Sequence, residues 1–367
     1  MTSDATINAA NIAALERLGA ALTAIGKDPA QRSKVIDLCL DIERTMPYPQ
    51  NQSIREDVTG PIVDAMHDKD TIIDTTLRDG TRFRLYYRTK IARDLVMASD
   101  PYPDHVWEPQ TTKLLLHLVD KARHALIGGA YFGDQVVLMA KRMHANGGAC
   151  HAFEPNPDQL KMLRENAALN GLDNIRSWPL GLWRDSTTHM SLVGDDSFAH
   201  AEQVVTEAAG EGTFATTSID EYVARQGIEK LDLIMLDIEG GELPALEGAR
   251  KQLEKPMGQA PNVVFEVHRS YVDWSKGLAN TEIMRYMSSH GYQMFAVRDF
   301  NSNVAMGNRP IELVPPDRVY LEGPPHGFNM LAVKDIRVVE NGPFVICPDV
   351  SPKLLWHKDP SLHHPQH

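Results

Sequence analysis

Two short runs hold the side chains with the most evident capacity for chemistry. Leu236-Asp237-Ile238-Glu239-Gly240-Gly241-Glu242 and Phe265-Glu266-Val267-His268 each close an apolar stretch that reads as a strand, so Asp237, Glu239, Glu266 and His268 are expected at two strand ends. In an open parallel sheet, ligands bind beyond the carboxyl ends of the strands, near the point where strand order reverses. A hydroxyl is a poor nucleophile until its proton is removed, so group transfer to it needs a base or a metal. His268 has the intrinsic pKa for a base, and Glu239 or Glu266 could orient it or take the proton directly. Asp237, Glu239, Glu266 and His268 could equally hold a hard divalent cation such as Mg or Mn, which prefers carboxylate oxygens. The plain alternative is that Glu266 and His268 only hydrogen-bond loops.

A second run supplies a binding site. Ala125-Leu126-Ile127-Gly128-Gly129-Ala130-Tyr131-Phe132-Gly133-Asp134 breaks from an apolar run into glycines, then resumes from Gln135 with helical spacing. This is a strand, a tight turn and a helix start. Glycine permits positive φ and close approach of the backbone, and the free N–H groups of a helix start favour an anionic or carboxylate group. The next strand ends in Phe153-Glu154-Pro155-Asn156, where the Glu154 carboxylate could accept hydrogen bonds from both hydroxyls of a ribose. Together these predict a nucleoside-cofactor site.

The elements that must position these residues follow from the pattern. Apolar strands are expected at about 124–128, 149–153, 174–178, 232–237, 262–267, 292–297 and 329–334, alternating with helices, which predicts a mainly parallel α/β sheet covered on both faces. Thr188 to Val193 and Thr213 to Ser218 read as extra strands around an acidic loop, Gly194-Asp195-Asp196-Ser197, and tyrosine 292 to valine 333 as a closing hairpin. Upstream, residues 1–60 read as a helical segment, with apolar residues at Ile12, Leu15, Leu18, Leu22 and Ile25. Residues 61–110 hold a hairpin about Asp79-Gly80 and a Pro- and aromatic-rich connector, Pro101 to Pro109, with Trp107 and Glu108, that could form a lid. Residues 111–340 form the main domain. Residues 341–367 are a tail whose histidines, among prolines, suggest a loosely docked end rather than a metal site.

Composition bounds the partners. The 367 residues are 43% hydrophobic and 23% charged, with a formal charge of −12 from 49 acidic and 37 basic side chains. Such a surface repels a phosphate backbone, which argues against nucleic acid. Cys39, Cys150 and Cys347 are widely spaced and lack any Cys-x-x-Cys, so buried thiols in a reducing cytoplasm are expected. No apolar run is long enough to span a bilayer, and no export signal is evident.

Gly129-Ala130-Tyr131-Phe132-Gly133, Phe153-Glu154-Pro155-Asn156-Pro157, the Asp237-x-Glu239-Gly240-x-Glu242 element and Phe265-Glu266-Val267-His268, in this order, resemble the FkbM family of S-adenosylmethionine-dependent methyltransferases. The resemblance spans about residues 105–335. It implies a Rossmann-like, class I methyltransferase sheet of seven strands, one of them antiparallel. It also implies that Gly129, Ala130, Tyr131, Gly133, Asp134 and Gln135 hold the amino-acid end of the donor, that Glu154 with Pro155 and Asn156 holds its ribose, and that Gly181, Leu182 and Trp183 lie near its adenine. Asp237 would border both donor and acceptor. Family members are mostly O-methyltransferases of sugars, glycans or secondary metabolites, so a small-molecule or glycan acceptor is implied. One departure stands out: the acidic residue usual two positions before the first glycine is here Ile127. Asp134 or Glu108 would then have to meet the donor's ammonium group.

Two rival readings remain at this level. Gly128-x-Ala130-x-x-Gly133 with Glu154 imitates the dinucleotide fingerprint of an NAD(P)-dependent oxidoreductase, and Ile127 leaves room for a methyltransferase fold that binds without catalysis. The helical N-terminal segment is a candidate homo-oligomer interface.

Overall fold

The structure is a computed structural model and describes residues 2–46, 54–98, 100, 102–194, 200–203, 212–300, 302–303, 305–320 and 327–353. The acidic residues 195–197 and the histidines of the tail lie outside these. The chain forms two compact units, one from residues 1–73 and 85–101, the other mainly from 74–84 and 102–355.

In the first unit α1 (Thr2–Gly26) and α2 (Pro29–Thr45) are split by Asp28, whose carboxylate caps α2 by accepting from the Ala30 and Gln31 N–H groups, with Pro29 at the first helical position. Next come α3 (Gly60–Asp64) and α4 (Lys90–Val96), tied to their surroundings by Arg93, which donates to Asp64 and Glu56. β1 (Ile72–Thr76) and β2 (Arg82–Tyr86), of which residues 74–84 are counted with the second unit, pair across the expected Asp79-Gly80 turn, where Gly80 has φ 81°.

The second unit begins with α5 (Pro109–Leu118), β3 (His124–Gly128), α6 (Asp134–His144), β4 (Ala149–Phe153), α7 (Pro157–Leu169) and β5 (Ile175–Trp178). A four-stranded sheet follows, formed by β6 (Gly181–Leu182), β7 (His189–Val193), β8 (His200–Gln203) and β9 (Thr213–Thr217) in the order β6-β9-β7-β8. The chain then runs through α8 (Ile219–Gln226), β10 (Leu233–Leu236), α9 (Glu242–Glu247), α10 (Arg250–Leu253), β11 (Asn262–Val267), α11 (Glu282–Ser289), β12 (Gln293–Val297), β13 (Ile311–Val314), β14 (Phe328–Val333) and β15 (Phe344–Ile346).

The large sheet has the order β15-β13-β12-β14-β11-β10-β3-β4-β5. β3, β4, β5, β10 and β11 are parallel, whereas β14 is antiparallel to both β11 and β12. From β5 to β12 this is the expected seven-stranded sheet with one reversed strand. The expectation of seven is corrected to nine, because β13 pairs with the edge of β12 and β15 with β13. Gln110 at the start of α5 accepts the Glu312 N–H, and Ile311 and Leu313 are fully buried, so the added edge is anchored to the core.

Alternation along the strands separates two cores. Leu126, Ile234, Leu236 and Phe265 face one cluster, while Ala125, Ile127, Leu233, Met235 and Val264 face the other. Both faces of the sheet are therefore covered, as a parallel sheet requires. All three cysteines are buried free thiols. No helix among the described residues is long and apolar enough to cross a membrane.

Candidate active site

Strand order reverses between β3 and β10, and the glycine turn sits there. Gly129 takes φ 74°, and a Cβ at that position would lie 1.7 Å from the Asp237 carbonyl oxygen, so only glycine fits. The Gly129 and Ala130 N–H groups donate to the Phe153 carbonyl at 3.1 Å, locking the turn to β4. Glu154, 6% exposed, accepts from the Tyr131 N–H at 2.8 Å and from the Asn156 N–H at 2.8 Å, so its carboxylate is held in one orientation at the end of β4. The Asn156 side chain itself caps α7, accepting from Asp158 and Gln159, and Pro157 opens the helix; Pro155 is half-buried beside it. Gly133 (φ 90°) starts α6, placing Asp134 in its first turn, with Gln135 buried. Leu182 packs toward Gly128, where an added Cβ would meet it at 2.7 Å, and Gly181 lies against the Phe214 ring.

The acidic group is built on the neighbouring strand ends. The Asp237 N–H donates to the Gly128 carbonyl at 3.1 Å, joining it directly to the turn. Glu242, 4% exposed at the start of α9, accepts from the Ile238 N–H at 2.9 Å and from the Gly240 N–H at 3.0 Å, so it folds the Asp-x-Glu-Gly-x-Glu loop around itself. Gly240 takes φ 98° with the Tyr271 ring against its α-carbon, and Glu239 is held at φ 50°. The four non-glycine residues with positive φ among the described residues are Glu108, Tyr131, Glu239 and Asp349, and three of them line this region. Such conformations cost about 1–3 kcal/mol each and cluster at functional sites.

Asp237, Glu239 and Glu266 bring carboxylate oxygens within 4.8 Å of one another; His268 is not part of that group. Burial raises the Glu266 carboxyl well above its ordinary range, with Asp237 and Glu239 adding repulsion, while a hydrogen bond with Glu266 pulls Asp237 the other way. Burial, then Asp237 and Glu242, push Glu239 up to about 8. His268, half-buried just past the end of β11, accepts the Ser270 N–H at Nδ1 (3.0 Å), so the neutral ring carries its proton on Nε2. Burial, then Lys353, lowers its pKa.

Sequence reasoning missed the partners that close this site. Asn329, 1% exposed in the apolar strand β14, donates to Glu108 Oε2 at 2.9 Å. Asp299 accepts from the Gln110 and Thr111 N–H groups at the start of α5. Lys353 pairs its backbone with Asp299, is 4% exposed, and lies close enough to favour the ionised form of Glu108 and to disfavour protonation of His268. Ser351 and Pro352, within the expected tail, are also held, by Arg298 and by the Asp299 N–H. A lone Asn within six buried strand residues was the available signal for Asn329; nothing local marked Lys353. Ile127 is buried in the core, whereas Glu108 and Asp134 both face the Asp237 charge. Burial raises Asp134 to about 7 and Glu108 well above its ordinary range.

The reversed strand β14 between β11 and β12 departs from the all-parallel 3-2-1-4-5-6 order of dinucleotide-binding folds. Residues 128–294 match the family model described as the methyltransferase FkbM domain. Among curated proteins none matches the chain. The solved structures it resembles include a SAM-dependent methyltransferase from Agrobacterium tumefaciens (13% identity, 72% of this chain and 70% of that one, TM-score 0.38). They also include an O-methyltransferase from Bacillus cereus in complex with SAH (16%, 63% and 84%, TM-score 0.34) and precorrin-6y C5,15-methyltransferase from Geobacter metallireducens (12%, 62% and 88%, TM-score 0.33). The strand order and the family match carry the assignment. The chain thus contains a methyltransferase FkbM domain over residues 128–294 and is an S-adenosylmethionine-dependent methyltransferase.

Proposed function

We propose that this enzyme transfers the donor's methyl group to a hydroxyl of a sugar, glycan or secondary metabolite. The observation that carries the reading is the carboxylate group of Asp237, Glu239 and Glu266 immediately beside the glycine turn, since Asp237 is bonded to Gly128 itself. In this reading Glu154 accepts from the donor's ribose hydroxyls, the turn from Gly129 to Gln135 holds its amino-acid end, and Glu108 and Asp134 take the ammonium group that the missing acidic residue at Ile127 would have met. Gly181 and Leu182 border the adenine. An acidic pocket suits a cationic sulfonium donor.

The acceptor oxygen attacks the methyl carbon in line, the C–S bond breaks, and its electron pair stays on sulfur as a thioether. Holding oxygen and carbon at attack distance supplies much of the rate. Glu239, raised toward neutrality, is the better proton acceptor, while His268 donates from Nε2 to orient the acceptor. A divalent cation on the same carboxylates would be the alternative means of activation. The buried thiols are in keeping with a cytoplasmic setting. Ile12, Leu15 and Leu18, 51%, 68% and 53% exposed on one helix, support homo-oligomerisation through the N-terminal segment.

The test is methyl transfer from S-adenosylmethionine to a panel of sugars, glycosides and phenols, read by thioether release and product mass. O-methyl products support the reading; products methylated only on nitrogen or carbon contradict it.

A further inference from the structure

Three carboxylates on two strand ends are common without an ion, but here a neutral buried oxygen stands beside them in the sheet. Asn329 provides it. It stands directly opposite Glu266 in the antiparallel β11–β14 ladder, so the two side chains share one face of the sheet at neighbouring positions. Its carboxamide is 1% exposed and is aimed inward by the hydrogen bond from Nδ2 to Glu108 Oε2. That bond leaves Asn329 Oδ1 buried with no partner, and Glu266 Oε2 is buried and unpartnered as well. A buried amide oxygen left unpaired loses its hydration without replacing it, which disfavours the arrangement unless a ligand supplies the missing partner. Two unpartnered oxygens on residues paired in the ladder, one of them on a member of the carboxylate group, are what a bound cation would satisfy.

We infer that Asp237, Glu239 and Glu266, with Asn329 Oδ1 at their edge, form a binding site for one divalent cation of the Mg²⁺ or Mn²⁺ type. The donor set is all oxygen, which these ions prefer over softer ligands. Carboxylate oxygens within 4.8 Å of one another need only small side-chain rotations to reach the span of about 4.2 Å across an octahedral Mg²⁺ with ~2.1 Å bonds. His268 is outside the set, since its Nδ1 already accepts from Ser270. The loop that carries Glu239 is fixed by Glu242, so the ligands are held before an ion arrives.

This inference rests on the methyltransferase reading for its purpose: an ion here would take the acceptor's hydroxyl oxygen as a ligand and make its proton easier to remove. A Glu239 bound through one oxygen keeps the other to receive that proton. Glu108 and Asp134 remain for the donor.

The experiment is Mn²⁺ binding to the chelator-treated full chain, followed by electron paramagnetic resonance and calorimetry, with S-adenosylmethionine titrated in parallel. One Mn²⁺ per chain is expected, displaced by Mg²⁺, and weakened more than tenfold in D237N and in E266Q but not in E154A. Asn329→Leu, which removes the neutral oxygen, should weaken it less. Folded wild-type protein that binds no Mn²⁺ at millimolar concentration overturns the inference, as does undiminished binding in a folded D237N/E266Q double variant. Donor binding without Mn²⁺ binding rejects the cation and spares the methyltransferase reading; Mn²⁺ binding without donor binding supports the cation and counts against that reading.

Discussion

Asn329 on the reversed strand β14 donates to the carboxylate of Glu108, 221 positions earlier in the chain, at 2.9 Å. This one bond ties the residue that opens α5 to the middle of the sheet, and it fixes Glu108 beside the charges of Asp237 and Asp134. The acidic pocket is thus assembled from both ends of the catalytic unit.

Because burial raises Asp134 and Glu242 to about 7, the folded protein holds protons that the unfolded chain, with ordinary carboxylates, releases near pH 4. Stability from these groups is present below that ordinary range and is lost as pH rises through 7. The ligand-free, chelator-treated protein should therefore melt several degrees lower at pH 8 than at pH 6. S-adenosylmethionine, whose ammonium meets an ionised Asp134, should raise the melting temperature more at pH 8. A ligand-induced shift independent of pH would contradict this placement of the donor.

Glu242 accepts two backbone N–H groups of the loop that carries Glu239. Replacing it by Ala leaves both donors unpaired at about 1–3 kcal/mol each. Thermal unfolding should show a loss of roughly 2–6 kcal/mol, and turnover should fall even at temperatures where the variant stays folded. Wild-type stability and turnover in Glu242→Ala would remove its role in shaping the loop.

Much of this was legible before the structure. β3 (His124–Gly128), β4 (Ala149–Phe153) and β11 (Asn262–Val267) coincide with the expected strands, because strands buried on both faces appear as short unbroken apolar runs. The glycine turn was legible too, since Gly129 answers a purely local demand for φ 74° and absent Cβ. β13 and β15 were not, being four and three residues long, too short for any periodicity. β8 also went unseen, a four-residue strand with no apolar alternation. Asn329, Asp299 and Lys353 were hidden for a different reason: each takes its meaning from a partner far away in sequence. His268 was legible as an imidazole at a strand end, but its tautomer depends on the Ser270 N–H, which composition does not reveal.

That tautomer separates two roles. Glu239→Gln should lower kcat by about 10²–10⁴, the range for loss of a general base, with donor affinity unchanged. His268→Gln, which can still donate, should retain most activity, whereas His268→Ala should lose about tenfold, the worth of one hydrogen bond of ~1.4 kcal/mol. Steady-state kinetics on the three variants decides; a His268→Gln variant as inactive as Glu239→Gln would make the imidazole the base.

The most direct measurement is calorimetric titration of S-adenosylmethionine, and of NAD as a control, into the wild-type chain and into Glu154→Ala. One donor molecule bound per wild-type chain is expected, with no heat from NAD and an affinity at least about 30-fold weaker in the variant, the loss of a charged acceptor worth ~2 kcal/mol or more, the circular dichroism spectrum being unchanged. Equal affinity of the two proteins for the donor, or heat with NAD in place of it, would contradict a ribose site at Glu154.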